Sequence, residues 1–199
     1  MRLSAEGLGS TRGGRILFQG LSFVVGAGEA LMVVGPNGSG KTTLLRLIAG
    51  LLSPTAGRIA LADSEEPVSE AVHFVGNQDA LKGALTVGEN LAFYRSLFGG
   101  AGDAVDAALG RMGIGTLAML PAEVLSAGQR RRATLARLLV SHRPIWLLDE
   151  PSNTLDADGQ TLLARLMQEH RTRGGIIIAA THVRLDLPGE REISLGGAA

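Results

Sequence analysis

GPNGSGKT, Gly35 to Thr42, spaces its residues as G-x-x-x-x-G-K-[ST], a pattern suited to holding a chain of phosphates. Glycines let backbone amides curl toward phosphate oxygens, Lys41 reaches the β- and γ-phosphates, and the Thr42 hydroxyl can ligate Mg²⁺. The segment follows an apolar run, ALMVVG (30–35), and precedes a helix-like stretch from Lys41 to Leu52. A strand before and a helix after give the loop its geometry, and the helix N-terminus adds partial positive charge. The competing reading is a glycine-rich turn that fits by coincidence. The chain has only two lysines, Lys41 and Lys82, and one stands at the required place, which favours the phosphate reading. Alone, the loop does not separate kinases, GTPases, helicases and transport ATPases.

IWLLDEP, residues 145–151, supplies carboxylates to match. Asp149 ends a strand-like apolar run, where it could hold Mg²⁺ through water. Glu150, next to it, could polarise a water for in-line attack on the γ-phosphate. The plainer alternative is a solvated acidic pair at a strand end. His182, after the apolar run GIIIAAT (175–181), and Gln78, after AVHFVG, also follow strand ends, where ligands bind in open α/β sheets. A lone histidine is more often structural, so neither residue carries a role by itself.

LSAGQRRRATLARLLV, 125–140, opens on a capping-box spacing, Ser126 with Gln129, and supplies Ala133, Leu135, Ala136, Leu138 and Leu139 for one buried face. Gly128 sits where a helix former would be more stable. Arg130, Arg131 and Arg132 read as a solvated helix face, with steering of nucleotide or a partner as the sharper alternative.

These residues need a scaffold. A 199-residue chain suffices for one or two domains with their own core. With 19 basic and 19 acidic residues, the balance of charge argues against a nucleic-acid partner. No cysteine is present, which removes disulfide and thiolate chemistry and suits the cytoplasm. No run approaches the roughly 18–20 apolar residues of a membrane span, and MRLSAEGLGS lacks the apolar stretch of a secretory signal. ALMVV, IWLLD and IIIAA are apolar without alternation, as in parallel strands covered on both faces. ILFQGLSFVVGAGEA (16–30) and RIALA (58–62) read as more exposed, antiparallel strands with a turn at Gly26-Ala27-Gly28. Thr86 and Glu89 open a second helix, through about Leu97, which Gly99-Gly100 ends; DAVDAALGRM (103–112) forms another, and SEEPVSE (64–70) is a polar loop. The expected organisation is a core of about 1–78 and 143–199 interrupted by a helical insertion at about 79–142.

GPNGSGKTT, Gln78, LSAGQ, LLDEP, NTLD and Thr181-His182 occur in the order and rough spacing of ATP-binding cassette (ABC) ATPases, which the chain resembles along nearly its whole length. The resemblance implies a P-loop NTPase fold of class α/β, with a parallel-sheet core, an antiparallel β edge and a helical subdomain. It implies ATP and Mg²⁺ as ligands. Gly35, Pro36, Asn37, Gly38, Ser39, Gly40, Lys41, Thr42 and Thr43 would hold nucleotide, with Ser126, Gly128 and Gln129 closing over the ATP of a second copy. Thr42, Gln78 and Asp149 would be on the metal side, Glu150 the base and His182 the γ-phosphate sensor. Gln78 would couple the site to a transmembrane partner, and Asp156 would lie at the dimer seam. Thr154 replaces the usual small residue before Leu-Asp, and Arg12 stands where the family often stacks an aromatic on adenine.

NQDALKGALTVGENLAFY (77–94) with LSAGQRRR and WLLDEP is similar to the ATP-binding subunits of haem exporters in cytochrome c maturation. That likeness implies a homodimer of ATPase subunits, peripheral at the cytoplasmic face of the inner membrane and bound to permease subunits, driving haem export. The alternatives are a transporter ATPase for another substrate and a soluble, non-transport ABC protein. A kinase would leave LSAGQ and His182 without roles.

Overall fold

A computed structural model of the chain describes residues 1–62, 67–182, 185 and 187–196. It divides into two compact units: Met1–Phe74, Pro144–Glu150 and Met167–Ala199 form the first, Val75–Arg143 and Pro151–Leu166 the second.

The first unit carries the sheets. β1 (Arg2–Arg12), β2 (Arg15–Gly26) and β4 (Ala56–Leu61) form an antiparallel sheet in the order β2-β1-β4. Leu3 lies opposite Val25 and Ala5 opposite Phe23, all four buried. Leu8 is three residues beyond Ala5, so a regular strand would turn it outward; a register shift between the two returns it to the core. β3 (Ala30–Val34), β5 (Val72–Val75), β6 (Ile145–Asp149), β7 (Ile176–Ala180) and β8 (Arg191–Ser194) make the second sheet, ordered β5-β6-β7-β3-β8. The pairs β6–β7, β7–β3 and β3–β8 are parallel. Every residue of β6 and β7 is buried, which explains their unbroken apolar runs. One core joins Leu147 and Ile178 to Leu44, Leu45 and Ile48 of α1 (Lys41–Ile48).

α1 is shorter than the expected stretch to Leu52. Gly50, at φ +71°, donates to the Leu47 carbonyl at 3.1 Å, and the Leu51 amide reaches back to Arg46 at 2.9 Å. This paired closure ends the helix and leaves Leu51 and Leu52 exposed. Residues 64–66 of the expected polar loop lie outside the described residues, while Val68–Ala71 form a single 3₁₀ turn.

The second unit is helical: α2 (Val87–Leu97), α3 (Val105–Arg111), α4 (Ala127–Ala136) and the first part of α5 (Ala157–Thr172). Thr86 and Glu89 form the expected capping box. Buried Asn90 holds the chain before α2: its Oδ1 accepts from the Lys82 amide at 2.8 Å, and its Nδ2 donates to the Lys82 and Thr86 carbonyls at 3.1 and 2.9 Å.

Inside the first unit, His170 of α5 stacks on Trp146, ring centroids 3.9 Å apart and planes within 11°. Its Nε2 lies 3.2 Å from the Pro144 carbonyl. A Cβ on Gly175 would stand only 2.2 Å from that ring nitrogen. Both rings are buried, so neither can swing clear. Gly175→Ala should therefore lower unfolding free energy by about 1–3 kcal/mol, the usual range for overpacking. The emission of Trp146, the chain's only tryptophan, should change with it. An unchanged denaturation midpoint and spectrum would show that the pair has room to move.

Candidate active site

In the first unit, the glycine-rich loop joins β3 to α1. The N-terminus of α1 has no side-chain cap and no acidic residue in its first turn, so its amides keep their positive end available. Buried Lys41 folds back and donates from Nζ to the Gly35 and Pro36 carbonyls at 2.7 and 3.1 Å. The Ser39 hydroxyl is buried without a hydrogen-bond partner. An uncapped helix start, an enclosed ammonium and an orphaned hydroxyl together fit a phosphate anion, which satisfies all three.

The expected metal-side pair is in direct contact. Thr42 Oγ1 donates to Asp149 Oδ2 at 2.9 Å, and Asp149 is buried at the end of β6. Two hard oxygens from the loop and the neighbouring strand suit Mg²⁺, which favours carboxylate and hydroxyl ligands beside substrate phosphate.

Glu150 follows at φ +48°, a left-handed conformation unusual for a non-glycine residue. The turn is held because its amide donates to the Ala180 carbonyl of β7 at 2.8 Å. Its carboxylate Oε2 then meets His182 Nδ1 at 2.8 Å. The Glu150 side chain is 14% exposed and that of His182 62%, so the pair presents its histidine end to solvent. The sequence marked both residues, but not the backbone twist that aims one at the other.

Gln78, Ser126, Gly128, Gln129 and Asp156 belong to the second unit. Gln78 is exposed just past β5. At the tip of α4 the amide of Gln129 donates to Ser126 Oγ at 3.2 Å, and the Ser126 amide to Gln129 Oε1 at 2.9 Å: the expected capping box. Ser126 and Ala127 are exposed at that tip. A Cβ on Gly128 would lie 3.0 Å from the Thr154 carbonyl, so this glycine also serves packing within its own unit. Thr154 itself has φ +65°. Arg12 is exposed at the end of β1, opposite Arg15.

The arginines after LSAGQ depart from the expected solvated face. Arg131 is buried. Arg132 pairs with Asp156 and donates to the Met112 carbonyl at 3.3 Å. Arg130 donates to the Ala122 and Glu123 carbonyls, each at 3.3 Å. All three bind backbone carbonyls or carboxylates within their own unit. The bond to Arg132 and the Gly159 amide hold the Asp156 carboxyl below its ordinary range. That carboxylate also caps α5, a helix the motifs did not announce, by accepting from Gly159 at 3.0 Å.

Residues 18–153 match the family described as ABC transporter. The chain is 54% identical to the cytochrome c biogenesis ATP-binding export protein CcmA of Rhodopseudomonas palustris strain HaA2, over the full length of both. It is 49% identical to the protein of the same name from Brucella abortus strain 2308, covering 95% of this chain and 89% of that one. Its fold superposes on a putative ABC transporter ATP-binding protein from Pyrococcus furiosus with a TM-score of 0.85, 24% identity and 98% of each chain covered. A second solved structure, cbiO1 from Clostridium perfringens, matches at 30% identity and a TM-score of 0.73 over 91% of this chain and 78% of that one. With a family match across most of its length and full-length relatives at about half identity, the chain belongs to the ABC transporter family, among its CcmA-type ATP-binding proteins.

Proposed function

We propose that this chain hydrolyses MgATP at sites completed by a second copy, to drive a membrane complex that exports haem for c-type cytochrome assembly. The observation that carries the chemistry is the pairing of Thr42 with Asp149 and of Glu150 with His182 at adjoining strand ends. Gly35 to Thr43 would cradle the phosphates, with Lys41 leaving its loop carbonyls for the β- and γ-oxygens. Thr42, Asp149 and Gln78 would hold Mg²⁺, which supplies charge neutralisation on those oxygens when bound. Glu150 accepts a proton from water as its oxygen attacks the γ-phosphorus and the bond to the β–γ bridging oxygen breaks, giving ADP and phosphate. His182 orients the Glu150 carboxylate through Nδ1 and keeps its other nitrogen for the γ-phosphate. The tip Ser126–Gln129, exposed at Ser126 and Ala127, would close over the nucleotide of the second copy, with Asp156 near the seam.

The haem role rests on the likeness to the CcmA proteins, over the full length of the Rhodopseudomonas palustris chain and 89% of the Brucella abortus one. The whole chain, 1–199, is one ATPase domain in this reading, with its helical insertion at about 79–142 meeting permease subunits. None of the described helices is long and apolar enough to cross a membrane. In this reading the permease subunits hold the chain at the cytoplasmic face of the inner membrane. Affinity purification from native membranes should bring down integral subunits of a haem-handling complex. Recovery of a permease for another solute would replace haem as the cargo.

Glu150→Gln should bind ATP normally and lose about 10²–10⁴-fold in turnover, the usual contribution of a general base. Gel filtration with ATP should show a dimer more persistent than the parent's. Hydrolysis at the parent rate would remove Glu150 from that role.

The closing tip is tested at Ala127, which is exposed and touches Thr154 through its backbone, the carbonyl accepting from Thr154 Oγ1 at 3.4 Å. Ala127→Glu places an acid where the helix dipole tolerates it, so the fold should be unharmed. Facing the γ-phosphate of a second copy, it should abolish hydrolysis while leaving ATP binding intact. Mixed with Lys41→Ala, it should regain activity, because in a mixed dimer both defects can share one site and leave the other whole. Normal turnover by Ala127→Glu alone would show that LSAGQ is only a helix cap.

A further inference from the structure

The chain passes from the first unit to the second after Phe74 and again after Glu150. Gly76 stands just beyond one passage, two residues before Gln78; Pro151 is the first residue beyond the other. A single side chain binds both. Arg131, only 2% exposed, donates from Nε to the Pro151 carbonyl at 3.1 Å and from Nη1 to the Gly76 carbonyl at 2.9 Å. The same Nη1 lies 3.6 Å from Asp79 Oδ1, on the far side of Gln78. One turn along α4, Thr134 Oγ1 donates to that carboxylate oxygen at 3.2 Å.

A buried guanidinium is a costly way to fill space; an apolar side chain of similar size does that with less desolvation. What the guanidinium adds is a planar fork whose donors hold two acceptors at a fixed separation. Here the acceptors are the carbonyls that begin the segment carrying Gln78 and that follow Glu150. The fork is mounted on the helix whose tip is Ser126–Gln129, about one turn away. Any displacement of α4 must move both carbonyls or break these bonds. Regular structure alone would leave the three segments independent, since neither 76–79 nor 151–156 is helix or strand.

We propose that Arg131 is a positioning residue for ATP hydrolysis. It registers the Gln78 segment and the backbone behind Glu150 against the α4 tip, so that closure of the tip and alignment of the attacking water occur together. This rests on the roles given above to Gln78 and Glu150.

The test uses the full-length chain with its co-purifying membrane subunits. Arg131→Lys keeps the charge but replaces the fork with a single point; Arg131→Met keeps volume and removes every donor. Both should bind a fluorescent ATP analogue with unchanged affinity and keep KM for ATP within about twofold, while kcat falls about ten- to a hundredfold, as expected of a misplaced reacting group. Methionine should lose more than lysine. Turnover of Arg131→Lys within twofold of the parent overturns the proposal, as does a loss of kcat matched by an equal loss of analogue-binding protein. Should Arg131→Met not fold, Arg131→Lys carries the test alone. Glu150→Gln, assayed alongside, separates the two layers. If it is inactive and Arg131→Lys is normal, only the Arg131 inference fails; if it is fully active, the site reading fails and takes this inference with it.

Discussion

The 2.9 Å bond between Thr42 and Asp149 is the contact on which the first unit's chemistry depends. It joins the first turn of α1 to the end of β6, so the phosphate loop and the acidic strand end cannot drift apart. Its geometry is set by burial. Asp149 is at the end of a strand enclosed on both faces, and Lys41 and Thr43 on either side of Thr42 are buried as well. A buried carboxylate must be hydrogen-bonded or neutralised. The hydroxyl serves that need within the protein, and a divalent cation, which both oxygens suit, would serve it more strongly. The same pair would then serve both the fold and the cation proposed for it.

One residue later the demands reverse. Glu150 leaves the strand with a positive φ, and the carboxylate that Asp149 keeps buried is followed by one turned toward the solvent-facing His182. Strain of this kind, of order 1–3 kcal/mol, persists only when neighbouring bonds over-determine it. The amide bond to Ala180 and the 2.8 Å contact with His182 do so here. Two adjacent acids therefore acquire different environments from a single twist of backbone, one buried beside the Thr42 hydroxyl and one facing His182.

Much of this was legible in the residues. Unbroken apolar runs announced β3, β6 and β7, and the two capping boxes fixed the starts of α2 and α4, because those signals are local and each has a direct physical cause. β1 and β8 were not foreseen: glycines and polar residues interrupt their alternation, and pairing with β2 and with β3 decides their conformation. The tips of α1 and α5 depended on closure at Gly50 and on Asp156, neither of which forms a reciprocal box. The arginine cluster misled because charge suggests solvent, whereas Arg131 meets carbonyls far away in sequence. A signal existed: Arg131 lies four and seven residues before Leu135 and Leu138, on the face that is buried.

Three helix starts in this chain show how capping sorts function. α2 is closed by Thr86 and Glu89, and the same hydrogen bonds hold the Glu89 carboxyl below its ordinary range, so an anion approaching that tip meets a fixed negative charge. α4 is closed by Ser126 and Gln129, which consume amides without adding charge and leave a neutral, exposed tip. α1 has no side-chain cap at all, and the loop before it is glycine-rich. Since a side-chain cap and a phosphate compete for the same amides, the strength of anion binding should follow the reverse order of capping. α1 can take the primary phosphate contacts. α4 can approach a nucleotide held by another loop without capturing one of its own. That graded affinity would suit the two-surface site proposed above, in which nucleotide binds at α1 before the α4 tip of a second copy closes over it.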